Sequence, residues 1–178
     1  MKVLVITGSP RKNGTSYLVT EEFLRGLQAG GHTVRRFDIG SGEIHPCIAC
    51  DHCLSHDGAC IFEDRMAELG PAILEADLLV FATPLYYFGL PAQLKAAIDR
   101  LYAINDALLA APKKAVLLAT CGDEEDWVWE ALRLHFATIC RYLHWEICGE
   151  VLISGVYQRT DLEGDARLEE AFRLGSSL

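Results

Sequence analysis

Short runs of apolar residues recur along the chain and are separated by segments with the spacing of amphipathic helices. Three runs, at 3–6, 78–82 and 115–119, are continuously apolar. This is typical of strands that are buried on both faces of a parallel sheet. Two further strands are predicted at 32–39, which alternates loosely and should lie nearer a sheet edge, and at 147–153. The hydrophobic pattern therefore predicts five strands.

Helical periodicity follows each of these strands. Apolar residues three and four apart predict helices at 17–29, at 64–75, from about Pro91 onward, at 128–143 and from 168 to just before Gly175. The first should end at Gly30-Gly31, and the second should be interrupted at Gly70-Pro71. The order is a strand and a helix, repeated five times.

This alternation predicts an α/β protein with the flavodoxin-like three-layer fold. We expect one domain over 1–178, with a five-stranded parallel sheet in the order 2-1-3-4-5 and helices on both faces. Ligands of such sheets bind outside the carboxyl ends of the strands, where the strand order reverses. The loops 8–16, 83–90 and 120–123 should therefore form one site.

The first of these loops reads GSPRKNGTS and leads into a helix. Backbone N–H groups and the positive end of the helix dipole converge on an anion at such a junction. We assign phosphate binding to Ser9, Arg11, Asn13, Thr15 and Ser16, which add hydroxyl, amide and guanidinium donors. The alternative is an ordinary strand–helix turn capped by Ser or Thr. The loop contains neither an NTPase P-loop nor the G-x-G-x-x-G of dinucleotide folds.

The second loop is rich in aromatic residues. It reads TPLYYFG, and its candidate ligand residues are Pro84, Leu85, Tyr86, Tyr87 and Phe88. A flat ring system stacks on aromatic faces and favours a dry pocket. These side chains could instead cover the end of the sheet or form a dimer contact.

These segments resemble the flavodoxin-like NAD(P)H-dependent FMN reductases. GSPRKNG, TPLYYFGLPAQLKAAIDRL and the turn Thr120-Cys121-Gly122 carry the resemblance, although relatives usually have Asn-Thr at the positions of Thr15 and Ser16. The resemblance implies that the first loop holds the terminal phosphate of FMN and that TPLYYFG wraps the flavin. It places Thr120, Cys121 and Gly122 beside the ring and ribityl chain, and makes Lys95 and Asp99-Arg100 structural.

Composition narrows the partners and the compartment. The net charge of −9 argues against nucleic acid and anionic membrane as partners, because both need a basic surface. The N-terminus has no signal-peptide pattern, and no apolar run approaches the ~18 residues of a spanning helix. We therefore expect a cytoplasmic protein. In a reducing compartment, its seven cysteines are better suited to metal or redox chemistry than to disulfides.

Four of these cysteines lie in an insertion loop at 41–62. Their spacing is Cys47-x2-Cys50-x2-Cys53-x6-Cys60, and four thiolates so spaced can complete the ligand shell of an iron–sulfur cluster. The pattern resembles that of archaeal and bacterial iron–sulfur flavoproteins, which carry one [4Fe-4S] cluster and FMN. The resemblance therefore implies a [4Fe-4S] cluster held by these four cysteines.

Other interpretations of the cysteine loop remain open. Zinc could bind all four cysteines, or His45, His52 or His56 could replace some of them. The loop could also bind no metal and cover the flavin or a subunit contact, or Cys50-x-x-Cys53 could carry out thiol–disulfide exchange. We expect Cys140 and Cys148 to be small buried hydrophobes, and Cys121 to contact flavin rather than metal.

Two functions follow as hypotheses. In the first, the protein is an FMN-dependent oxidoreductase that passes electrons from a transiently bound NAD(P)H through FMN to a small-molecule acceptor or an iron–sulfur cluster. In the second, it is an electron carrier or redox module that receives electrons from a ferredoxin-like partner without nicotinamide. We expect a homo-dimer or homo-tetramer in either case, because the aromatic loop leaves apolar surface to cover.

Overall fold

The computed structural model describes residues 1–40 and 43–178. Its centre is a parallel sheet of five strands in the order β2-β1-β3-β4-β5, as predicted. The strands are β1 (Lys2–Thr7), β2 (Thr33–Asp38), β3 (Leu78–Pro84), β4 (Lys114–Thr120) and β5 (Glu146–Ile153). β2 forms one edge, which explains its looser alternation. Residues 41 and 42, with which the predicted insertion loop begins, lie outside the described residues.

Helices cover both faces of this sheet. They are α1 (Thr15–Ala29), α2 (Met66–Glu75), α3 (Ala92–Asp99), α4 (Asn105–Ala110), α5 (Glu130–Tyr142) and α6 (Leu168–Ser177). Alternate residues of β1 enter opposite cores, as the period of a strand requires. Val3 and Val5 pack with α1 and α6, whereas Leu4 and Ile6 pack with α2, α3, α4 and α5.

The predicted break at Gly70-Pro71 is wrong, because α2 continues through Pro71. A proline inside a helix removes one hydrogen bond and crowds the preceding turn. Here Met66, Leu69 and Ile73 are all buried in the core. The packing of this apolar face holds the helix together across the proline.

The predicted end of the last helix before Gly175 is also wrong. α6 runs on to Ser177, and Gly175 lies where it crosses α1. A Cβ atom on Gly175 would come within 2.5 Å of the carbonyl oxygen of Phe23, and one on Gly26 would come within 2.2 Å of that of Phe172. The two glycines allow close contact between the helix backbones, so Gly175 serves packing rather than helix termination.

Two smaller features complete the fold. α4 was not predicted, and it follows a 3₁₀ turn at Arg100–Ile104 that continues from α3. The described part of the cysteine loop contains one 3₁₀ turn, at His52–Ser55. None of the helices in the described ranges is long and apolar enough to cross a membrane.

Candidate flavin and cysteine sites

Three loops meet at the carboxyl end of β4, at Thr120. The Thr120 hydroxyl lies 2.9 Å from that of Thr15 and 2.8 Å from that of Ser16. Its carbonyl accepts the backbone N–H of Leu85 at 2.9 Å. All three hydroxyl-bearing side chains are buried. The loops after β1, β3 and β4 therefore converge at the point where the strand order reverses, as the topology predicts.

The N-terminus of α1 has backbone donors available for an anion. Its N-cap is Gly14, and no side chain in the described residues caps the helix. The first N–H groups of a helix lack partners within the helix, so an uncapped end favours an anionic ligand. Ser9 Oγ accepts the N–H of Arg11 at 3.2 Å, and the Arg11 side chain is exposed. This donor set fits a terminal phosphate.

Three predicted phosphate residues are already hydrogen-bonded through their side chains. The hydroxyls of Thr15 and Ser16 contact Thr120, so they brace the loop in this conformation. The Asn13 Oδ1 atom accepts a hydrogen bond from Arg159 Nη1 at 2.9 Å. Ser9, Arg11 and the N–H groups of α1 are therefore the donors best placed for phosphate.

A cavity of about 270 Å³ adjoins this loop. It is lined by Ser9, Arg11 and Ser16 on one side and by Asp38 and Glu43 on the other. It thus opens towards β2, whereas Thr120 and the aromatic loop lie on the β3 and β4 side. The predicted ring-binding residues therefore lie outside this cavity.

The aromatic loop is a tight turn with a strained backbone. Tyr86 and Gly89 exchange backbone hydrogen bonds of 3.0 and 3.1 Å, and the two residues between them, Tyr87 and Phe88, have φ angles of 46° and 66°. Positive φ at both central positions matches a type I′ turn, where Asn-Gly is preferred. Bulky residues rarely adopt this conformation, and such strain is concentrated at functional sites.

Three residues near the site carried no sequence motif. Trp127 packs against Phe88 with 5.2 Å between ring centroids. The centre of the Tyr157 ring lies 5.9 Å from the Arg11 guanidinium carbon. A Cβ atom on Gly122 would come within 3.1 Å of the same ring. Arg159 contacts Asn13. Trp127 follows β4, and Tyr157 and Arg159 follow β5. Because the carboxyl ends of parallel strands lie at one edge of the sheet, their positions after these strands were the only sequence feature that could have placed them near the site.

The cysteines outside the loop are buried or half-buried. Cys121 is buried, and its thiol donates to the Asp123 carbonyl at 3.3 Å. Burial raises the pKa of Cys121, and it raises the pKa of Cys140 to about 12. Cys148 is half-buried, and burial also raises its pKa. Cys140 is confirmed as a core residue, whereas Cys148 packs against the core only in part.

The four loop cysteines share one cavity. Cys47, Cys50, Cys53 and Cys60 all line a space of about 490 Å³, whose lining also includes Phe62, Asp99, Arg100 and Tyr102. Within 1–40 and 43–178, no three His, Cys, Asp or Glu side chains are close enough together to hold a metal ion. The donor chemistry and the shared cavity fit a four-thiolate centre, but binding would require the thiols to move together.

A buried ion pair lies beneath this loop. Arg100 Nη1 contacts Asp64 Oδ2, and the two side chains are only 2% and 5% exposed. Burial alone would raise the pKa of Asp64, but N–H groups of His45, Arg100 and Met66 outweigh it and lower this pKa to about 2. The resemblance had assigned Arg100 a structural role, and the structure agrees with it.

The fold and the loop cluster define a flavodoxin-like α/β protein with a flavin-type site. The chain belongs to the NADPH-dependent FMN reductase family, whose sequence model matches residues 1–147. An iron–sulfur flavoprotein of Archaeoglobus fulgidus is 30% identical over 177 residues, covering 96% of this chain and 90% of the relative. These matches confirm the resemblance noted from the sequence.

Two further comparisons have narrower scope. Another iron–sulfur flavoprotein of Archaeoglobus fulgidus is 38% identical over 101 residues, which are 57% of this chain and 46% of that relative. This chain therefore matches about half the length of that protein. The NAD(P)H:quinone oxidoreductase of Methanothermobacter marburgensis superposes with a TM-score of 0.81, covering 99% of this chain and 98% of that one. At 22% identity, this match confirms the fold alone.

Proposed function

We propose that this chain is an FMN-dependent oxidoreductase that takes electrons from NAD(P)H and delivers them to a small-molecule acceptor or a [4Fe-4S] cluster. The observation that carries this proposal is the junction at Thr120, where the loops after β1, β3 and β4 are hydrogen-bonded together at the switch point of the sheet. Family membership supports it. When bound, FMN would supply the redox chemistry, because it exchanges electrons in pairs or singly.

The residues of the phosphate loop would bind and orient the cofactor. Ser9, Arg11 and the uncapped N-terminus of α1 would bind the terminal phosphate of the cofactor. This favours FMN over FAD, because the loop would enclose a terminal monophosphate. The hydroxyls of Thr15 and Ser16 would keep the loop fixed to β4 through Thr120. The cofactor would then be held at one end by charge and by fixed backbone donors.

The aromatic turn would support the flavin ring and shield it from water. Pro84 and Leu85 lead into the turn, and Tyr86, Tyr87 and Phe88 present aromatic surface beside Thr120, Cys121 and Gly122. Trp127 extends that surface through its contact with Phe88. Stacking and exclusion of water are the main contributions that a protein makes to flavin chemistry of this kind.

The cysteine loop would hold the cluster. Cys47, Cys50, Cys53 and Cys60 line one cavity, and four thiolates complete the shell of one [4Fe-4S] centre. α3 leads from the aromatic turn to Arg100 at the cavity wall, and a helix of eight residues spans ~12 Å. This short connection would place the two redox centres in the same half of the molecule.

The proposal is tested on protein purified and reconstituted without oxygen. We expect flavin absorption bands, about four irons per chain and oxidation of NADH or NADPH with an artificial acceptor. FMN and iron without nicotinamide oxidation would instead support a carrier that exchanges electrons with a ferredoxin-like partner. One zinc per chain would support the zinc interpretation. Colourless protein that stays colourless with added FMN would contradict the flavin assignment.

The ligand assignment has its own test. Cys50→Ala should abolish iron binding and leave FMN bound, because separate loops hold the two groups. Cys121→Ala should retain both, because Cys121 lies outside the cavity of the four cysteines. Cys148→Ala is a matched control on β5. Retention of full iron by Cys50→Ala would sink the cluster assignment.

A further inference from the structure

Arg100 is a buried cation at the base of the cysteine loop. It follows α3 directly, and its side chain pairs with that of Asp64, which is also buried. A charged side chain is seldom buried unless it is paired, and removing one partner leaves the other uncompensated. The ion pair therefore fixes Asp64, and with it the end of the loop, to the α3 side of the molecule.

The same guanidinium group also contacts the other end of the loop. Its Nη1 donates to the carbonyl of His45 at 3.3 Å, and its Nη2 reaches the carbonyl of Phe62 at 3.5 Å. Asp64 completes the closure, because its Oδ2 accepts the backbone N–H of His45 at 2.9 Å. The two ends of the segment that carries the four cysteines are thus held together at Arg100. A planar group with five N–H donors can make these contacts at once, whereas an ammonium cannot.

One nitrogen of Arg100 has no hydrogen-bond partner at all among the described residues. This atom is Nε, and it is buried. Arg100 also lines the cavity that the four cysteines share. Buried donors in proteins are almost always paired, so an unpaired one beside a cavity indicates a ligand that accepts a hydrogen bond. Metal-bound sulfur accepts such bonds, and they tune the potential of iron–sulfur centres.

We propose that Arg100 is the positioning residue of the four-cysteine site. It closes the ends of the loop so that the four thiols face one cavity, and its Nε–H donates to sulfur of the metal centre bound there. The inference rests on the proposed role of the loop as a cluster site. Its first half concerns the loop without metal, so the two can be tested separately.

The test compares Arg100→Gln and Arg100→Lys with Arg133→Gln, which removes an exposed ion pair with Glu150 on α5 and β5. Amide hydrogen exchange of residues 43–64 is measured before iron is added. Iron per chain and the midpoint potential of the centre are measured after anaerobic reconstitution. FMN content reports whether the rest of the fold is intact.

For Arg100→Gln we expect exchange in the loop to rise about tenfold or more, since closing contacts are lost, with iron reduced and FMN retained. Arg100→Lys keeps the charge beside Asp64, so it should recover much of the iron. Its potential should be lower than that of the wild type, because the hydrogen bond to sulfur is lost. The control variant should match the wild type in every measurement.

Wild-type exchange and iron content in Arg100→Gln would overturn the positioning role. An unchanged potential in Arg100→Lys would overturn the hydrogen bond to sulfur. If Arg100→Gln fails to fold, Arg100→Lys decides the closure, because an ammonium cannot make all of the closing contacts and loop exchange equal to the wild type would overturn it. If the wild-type protein takes up no iron, both the cluster assignment and the hydrogen bond from Arg100 to sulfur are wrong. Hydrogen exchange of residues 43–64 in the variants then still tests whether Arg100 holds the two ends of the loop together.

Discussion

Thr120 shows how one small side chain can organise a binding site. Its hydroxyl meets those of Thr15 and Ser16, and all three are buried. A hydroxyl can donate or accept, so the two contacts give each of the three side chains a hydrogen-bond partner inside the protein. Because a buried polar group without a partner is costly, this network fixes the phosphate loop against β4 before any ligand binds.

The phosphate donors can be tested by removing two side chains. Ser9→Ala combined with Arg11→Ala should weaken FMN binding, because a hydrogen bond to a charged group contributes roughly 1.5–3 kcal/mol. That corresponds to a loss of affinity of about tenfold or more for each contact. Fluorescence titration of FMN gives the dissociation constant. Lys12→Ala, which changes a cation in the same cavity, is the matched control, and unchanged affinity in the double variant would falsify the assignment.

Asp64 should make the stability of the protein depend on acid pH. Its pKa is about 2 in the folded protein against 3.8 when unperturbed, so its contribution is complete above about pH 4 and is lost as the pH falls towards 2. The size of the shift corresponds to about 2 kcal/mol. Arg100 pairs with its carboxylate, and His45 Nδ1 lies 3.2 Å from its Oδ2.

Denaturant unfolding of iron-free and flavin-free protein at pH 6 and pH 2.5 measures this contribution. Asp64→Asn should be less stable than the wild type at pH 6, and the gap should shrink by about 1–2 kcal/mol at pH 2.5. Arg173 and Glu169 form an exposed pair on α6, so Glu169→Gln serves as the control. A gap that does not change with pH would contradict the assignment.

The strands could be predicted from the sequence because burial on both faces leaves little choice of residue. Each apolar run forms a strand, and the alternation of strands with helices predicted the order of the five strands in the sheet. The helix ends were less certain, because Pro71 and Gly175 usually break helices. Their effect depended on packing against partners distant in sequence, namely the core beneath α2 and the backbone of α1.

The site was predicted only where its residues lie in contiguous motifs. The phosphate loop and the aromatic loop each form one stretch of sequence, so their residue types identified them. Trp127, Tyr157 and Arg159 come from separate segments, and only the fold brings them to the same edge. The contacts by which Arg100 joins the two ends of the cysteine loop were not predicted, because Arg100 is 36 residues from Asp64 in the sequence.

We expect the backbone strain in the turn at Tyr86–Gly89 to lower the stability of the protein and to support FMN binding. Replacing Tyr87 and Phe88 by Asn-Gly supplies the preferred residues for a type I′ turn, and each strained position costs of order 1–3 kcal/mol. We therefore expect the free energy of unfolding of flavin-free protein to rise by about 1 kcal/mol or more, partly offset by the lost contact with Trp127. FMN affinity should fall.

Denaturant unfolding and FMN titration measure both effects. Tyr142→Asn, which removes an exposed aromatic side chain on α5, is the control and should leave FMN affinity unchanged. A variant that is less stable and binds FMN as tightly as the wild type would contradict the functional interpretation of the strain.

The carboxyl edge of the sheet leaves aromatic side chains exposed. Tyr87 is 98% exposed, Tyr157 71% and Trp127 54%, and all three lie near the same edge. Tyr87 and Trp127 both pack against Phe88, and an apolar patch of this kind is commonly covered by another molecule. The overall net charge of −9 disfavours nucleic acid or an anionic membrane as that partner, which leaves a second copy as the simplest occupant.

A second copy predicts a defined mass in solution. Light scattering at micromolar concentration should give at least twice the 19.7 kDa of one chain, and a tetramer would give four times that mass. Tyr87→Ser with Trp127→Ser should shift the protein towards the monomer, because it removes apolar area from the patch while leaving the core intact. Leu134→Ser, at an exposed apolar position on α5, should not. Wild-type protein that stays monomeric with and without FMN would contradict the prediction, and the aromatic surface would then serve the flavin and its acceptor alone.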